Sequence, residues 1–159
     1  MRNFTTIILL LVLVSSTYAA DLSISRFQTK GTSNTGMNPG TPDGREGGED
    51  MGTALPITEL PFNDSGNTSD NIDDFDVSCP YGASLSPDVF YSYIPTGDEV
   101  ISVDLCGSGY DTKTYIIDAD YNEIACNDDF YFDDVCGQYV SFIENAYLNA
   151  GVEYFIVVD

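Results

Sequence analysis

Asp88-Val-Phe-Tyr-Ser-Tyr-Ile-Pro-Thr-Gly-Asp-Glu-Val-Ile-Ser-Val-Asp-Leu105 holds two short runs of β-branched and aromatic residues separated by a Pro95-Thr-Gly97 break. In the second run Ile101, Val103 and Leu105 alternate with Ser102 and Asp104, the period of a strand with one buried face. The first run, from Asp88 to Ile94, stops at residues that favour a turn, so the two read as a β-hairpin. The same grammar extends outward. Thr114 to Ile117 and Glu123 to Cys126 flank the turn residues Asp118-Ala-Asp-Tyr-Asn122, and Tyr139 to Glu144 is followed by an Asn149-Ala-Gly151 turn and then Glu153-Tyr-Phe-Ile-Val-Val158. Strands spaced every eight to twelve residues, with no window of helical length at period 3.6, predict an all-β sandwich or barrel over residues 47–159. A chain of this length supports one core and one domain. Tyr154 to Val158 is an apolar run one residue short of the end of the sequence. Since a bare apolar edge invites aggregation, the expectation is that a closing strand is missing or is supplied by another chain.

Residues 1–19 read as a secretory signal peptide. Arg2 supplies the basic start, Ile7 to Val14 the apolar run and Thr17-Tyr18-Ala19 a small-x-small cleavage site, and eight apolar residues are too few to span a bilayer. Residues 20–46, rich in Gly, Ser, Thr, Asn and Pro, read as a disordered linker. Export places the chain outside the cell or at its surface, with no membrane insertion after cleavage. There Cys79, Cys106, Cys126 and Cys136 are expected to form two disulfides, the preferred pairing being Cys126 with Cys136 and Cys79 with Cys106.

The chain carries 26 acidic residues against 5 basic ones and no histidine, a formal net charge of −21. Absence of histidine excludes Ser-His-Asp and Cys-His catalysis and His-ligated metals. The negative field repels phosphate backbones, so nucleic acid is not an expected partner. Within residues 47–159 there are 23 acids and one base, Lys113, so the acidity belongs to the expected domain. Carboxylate pairs alone can run glycoside hydrolysis, but among so many acids no pair stands out, and no catalytic residue is assigned.

Taken together, Leu55-Pro-Ile-Thr-Glu-Leu-Pro-Phe62, Ser65-Gly-Asn-Thr68, Ser86-Pro-Asp-Val-Phe-Tyr-Ser-Tyr93, Leu105-Cys-Gly-Ser-Gly-Tyr-Asp-Thr-Lys-Thr-Tyr115, Ile124-Ala-Cys-Asn-Asp-Asp129 and Leu148-Asn-Ala-Gly-Val-Glu-Tyr-Phe-Ile-Val-Val158 resemble the bacterial pre-peptidase C-terminal (PPC) domain. The resemblance covers nearly all of 47–159 and keeps order and spacing. It implies a jelly-roll-like antiparallel β-sandwich and a non-catalytic accessory module of an exported bacterial protein. In some collagenase relatives it also implies calcium and matrix binding. Two features depart from that pattern: no peptidase domain is present, and the family's final strand is absent, as in a fragment of a secreted peptidase.

Hard cations take oxygen ligands, which draws attention to the Asp-rich turns. Asp111, Asn127, Asp128, Asp129, Asp133 and Asp134 are expected to converge on one rim as a Ca2+ site. The competing reading is that these acids cap turns through their own backbone. Asp118 to Glu123 with Asp129 mimics an EF-hand loop, but it lacks the glycine at the sixth position and flanking helices, so a hairpin turn is preferred. Tyr110, Tyr121 and Tyr131 fall in expected loops and are the candidate contacts to an extracellular polymer, protein or polysaccharide; other domains of the same protein are the alternative partner.

Overall fold

The computed structural model describes residues 19–26 and 47–159, apart from Ala83. Its strands are β1 (Ala19–Arg26), β2 (Leu55–Ile57), β3 (Phe62–Asn67), β4 (Val89–Tyr93), β5 (Glu99–Asp104), β6 (Lys113–Asp118), β7 (Glu123–Asp128), β8 (Tyr131–Asp133), β9 (Gly137–Val140), β10 (Phe142–Leu148) and β11 (Tyr154–Val158). One sheet runs β10-β5-β1-β3 and is antiparallel throughout. The other runs β2-β4-β11-β6-β7, antiparallel except where β2 lies parallel to β4. A small β8-β9 ribbon stands apart. The expected all-β sandwich is what the chain forms.

Period-2 alternation builds the core. Leu22 and Ile24 of β1, Ile101 and Val103 of β5 and Ile143, Ala146 and Leu148 of β10 face Val89, Tyr91 and Tyr93 of β4, Ile116 of β6 and Tyr154, Ile156 and Val158 of β11. A second apolar layer covers the opposite face of the five-stranded sheet. There Phe90, Tyr115, Ile117, Phe155 and Val157 lie under Phe75, Val77 and Cys79 of the segment between β3 and β4. β6 and β11 are consequently buried on both faces, which is why Tyr154 to Val158 is continuously apolar instead of alternating.

Four expectations change. β11 is paired on both sides, by β4 and β6, so its apolarity needs no missing closing strand. The two runs between Asp88 and Leu105 do not form a hairpin: β4 and β5 lie in different sheets, and the Pro95-Thr-Gly97 connection crosses the sandwich. Their apolar faces meet through the core rather than side by side, and Pro95 O is held by the amide of Gly151 (2.8 Å). Residues 20–26 are not linker. They form β1 between β5 and β3, because Leu22 and Ile24 supply an alternating pair that becomes fully buried. The rest of the expected linker, from residue 27 to residue 46, and residues 1–18 of the expected signal peptide lie outside the described residues. Finally, the disulfides are Cys79–Cys126 and Cys106–Cys136, with Cα separations of 6.1 and 4.3 Å, rather than the preferred pairing. Cys126 on β7 faces the outer layer where Cys79 packs, whereas Cys136 sits in the β8-β9 turn against the chain leaving β5, where Gly107 N donates to Cys136 O (3.1 Å).

Candidate functional site

Lys113 opens β6 and lies opposite Asp128, the last residue of β7, in the antiparallel register. Asp111 precedes β6 by two residues and Asp129 follows β7 directly, so hairpin pairing alone brings these ends together. The segment carrying Asp111 is pinned further. Thr112 N donates to Tyr139 O (3.0 Å), Ser141 N donates to Thr112 Oγ1 (2.9 Å), and the Ser141 hydroxyl donates to Thr112 O. Asp129 has φ of 74°, in the left-handed region that Asp tolerates better than most residues, and turns the chain sharply toward β8.

One carboxylate oxygen from each of Asp111, Asp128 and Asp129 lies within 4.8 Å of the others. Lys113 Nζ is 3.7 Å from Asp128 Oδ2 and donates to Gly82 O (2.6 Å). Partial burial, then the neighbouring carboxylates, holds the pKa of Asp111 above the usual carboxylate range. Asp128 is raised for the same reason, with Lys113 opposing. Beside the trio opens a cleft of about 300 Å³ lined by Tyr81, Ser84, Ser86, Thr112, Lys113 and Asp128 among others.

Three of the six residues expected at the rim therefore come together, and three do not join that group. Asn127 Oδ1 accepts from Phe142 N (3.0 Å) and braces β7 against β10. Asp133 caps the β8-β9 turn, accepting from Val135 N and Cys136 N (both 2.8 Å), which lowers its pKa. Asp134 is exposed in the same turn. Asp118 likewise caps its hairpin turn, accepting from Asp120 N and Asn122 N, as a turn rather than an EF-hand loop does. A second group of metal-type side chains, Cys79, Glu123 and Cys126, has its sulfurs in a disulfide, which removes the thiolates a metal needs.

The three candidate tyrosines do not share a surface. Tyr110 packs partly into the core. The hydroxyl of half-buried Tyr131 donates to Asp104 Oδ1 (3.2 Å), and burial followed by that carboxylate pushes its pKa up to about 12. Tyr121 is exposed, its ring tilted against Phe75. Exposed aromatics gather instead at the β8-β9 ribbon beside Asp129. Phe130 packs edge-on to Tyr131 and Phe142, and Phe132 to Tyr139, with Phe130, Phe132 and Tyr139 about half exposed. The cross-strand place of Lys113 and these phenylalanines escaped sequence reading. Register would have exposed the first, and two Phe residues within an Asp-rich loop were a signal for the second.

Among the described residues no helix is long and apolar enough to cross a membrane, and the two disulfides fit an oxidising environment. Comparison with protein-family models, with curated proteins and with solved structures finds no match to this chain.

Proposed function

We propose that this chain is a non-catalytic accessory β-sandwich module of an exported protein, that its rim takes up calcium, and that the adjoining aromatic ribbon contacts extracellular polymer. Convergence of Asp111, Asp128 and Asp129 carries the reading: three carboxylates within 4.8 Å form an all-oxygen donor set of the kind hard cations select. Calcium uses six to eight oxygens, so these side chains would hold the ion together with backbone carbonyls or water. Lys113 offsets one negative charge before any cation arrives. The ion would relieve the mutual repulsion that raises Asp111 and Asp128. The resemblance to PPC domains and the exposed Phe130, Phe132 and Tyr139 support the matrix-facing part of the proposal.

Titration calorimetry of the oxidised chain with calcium is expected to show saturable uptake, and chelator is expected to lower the melting temperature. Absence of both would remove calcium from the proposal. Retention on insoluble collagen or polysaccharide, weakened by Phe132→Ala, tests the polymer contact. The capping roles of Asp118 and Asp133 favour a second reading, a spacer whose acids serve turns and solubility. That reading expects neither calcium uptake nor retention.

A further inference from the structure

Asp88 and Asp159 are more deeply withdrawn from water than any rim acid, at 0% and 1% exposure. The β4–β11 register pairs Val89 with Val158, and one further step along both strands sets Asp88 beside Asp159 on the face shared with Phe90 and Val157. Cross-strand neighbours have Cβ atoms about 5 Å apart, within reach of short carboxyl groups. Each carboxyl satisfies one oxygen and orphans the other. Asp88 Oδ2 accepts from Asp74 N (3.1 Å) and Phe75 N (2.8 Å), while Asp159 Oδ2 accepts from the Tyr115 hydroxyl (2.6 Å). Oδ1 of each is buried with no hydrogen-bond partner. Two orphaned acceptors and two adjacent like charges, both desolvated, are costly together.

One proton removes both difficulties, because a protonated carboxyl donates to the other's free oxygen and cancels one charge. Two free oxygens are too few for calcium. We propose that Asp88 and Asp159 share a single proton, and that this carboxyl–carboxylate pair is a latch holding the segment 71–86 on the outer face of the five-stranded sheet. Asp88 grips that segment through the Asp74 and Phe75 amides, and Asp159 lies beside the Ser84 side chain of the same segment. The same segment supplies Tyr81, Gly82, Ser84 and Ser86 to the cleft, so loss of the proton loosens one wall of it.

The groups facing the pair favour retention of the proton. Asp73 and Asp76 of the segment are negative. Tyr115 of β6 is neutral and donates. Lys113 of β6, which draws Asp159 the other way, is engaged by Gly82 O and Asp128. Glu49 is occupied in accepting from Ile72 N (2.9 Å). Burial foremost, opposed by the two amides and aided by Asp159 and Asp73, pushes Asp88 up to about 7, and burial moves Asp159 in the same direction. A carboxyl raised on folding contributes stability that is full below its unfolded value near 4 and is lost as pH rises through its folded value.

Carboxyl-carbon NMR of the oxidised chain, titrated from pH 4 to 9, tests the pair. The expected result is a coupled step near neutral pH at both Asp88 and Asp159, with intrinsic-rate-corrected amide exchange at Asp74 and Phe75 at least tenfold faster at pH 8.5 than at pH 5.5. In Asp88→Asn the side-chain amide imitates the shared proton, so exchange should no longer depend on pH. Independent titration of the two groups near pH 4 overturns the proposal, as does unchanged pH dependence in Asp88→Asn. So does a step that calcium at pH 8.5 abolishes, which would put a cation in place of the proton. The wild-type titration decides the matter even if the variant does not fold, and Asp159→Asn is its reciprocal.

Discussion

Asp129 and Asn127 flank Asp128 yet have separable jobs, which makes them the sharpest residue-scale test of the rim. Asn tolerates positive φ as Asp does, so Asp129→Asn removes a charge without disturbing the bend at 74°. It should weaken calcium binding at least tenfold by calorimetry while leaving the metal-free melting temperature within a degree or two. Asn127→Ala deletes the acceptor for Phe142 N and should destabilise the fold by about 1–2 kcal/mol in urea unfolding with calcium affinity intact. The Asp-rich loops were legible in the sequence, but which acids converge was not. Asp111 and Asp128 are 17 positions apart in the sequence and meet because Lys113 pairs with Asp128. Asp133 looked equivalent until its backbone bonds to Val135 and Cys136 gave it a local task.

Strands were legible one at a time, and their partners less so. The β6-β7 hairpin follows directly from the Asp118 to Asn122 turn, since a short loop rich in Asp and Asn returns the chain beside itself. The Pro95-Thr-Gly97 break looked much the same in sequence but joins two sheets, because β4 and β5 each have an inward face that the other fills across the core. Cysteine spacing carried no pairing information, and the observed bridges follow from which face each strand presents. They close intervals of 47 and 30 residues, for which the chain-entropy model assigns about 4 and about 3.5 kcal/mol. Replacing Cys106 and Cys136 together by Ala should remove about that smaller amount in urea unfolding. Amide exchange should rise first in the β8-β9 ribbon, with β6 and β11 still protected.

At the scale of the whole molecule, the acid excess sets how stability responds to solution conditions. Asp64, Asp88, Asp111, Asp128 and Asp159 are all raised, with burial the first cause in each. Their contribution is complete below the ordinary carboxylate value and is lost as pH rises above it, for Asp88 through about 7. Asp118 and Asp133 are lowered by hydrogen bonds from Asn122 and from the Cys136 amide, and their contribution fails only as pH falls below the ordinary carboxylate value. Thermal denaturation followed from pH 3 to 9 should therefore peak in mildly acidic solution, not at neutrality. Raising sodium chloride from about 10 to 300 mM at pH 8 should increase the melting temperature, as screening of a net −22 domain requires.

β1 and β11, the described strands furthest apart in sequence, both lie inside their sheets rather than at the edges. Leu22→Ala should accordingly cost about 2–5 kcal/mol despite its place in a segment with the composition of a linker. Neither sheet can assemble from a contiguous piece of chain: β3 gains its sheet partner only from β1, and β4 is joined to β6 only through β11. A nascent chain arrested before Tyr154 is thus expected to remain fully sensitive to protease, becoming resistant only once β11 is available. For the exported chain proposed above, such late closure would keep the polypeptide threadable through a translocation pore and defer both folding and oxidation to the far side.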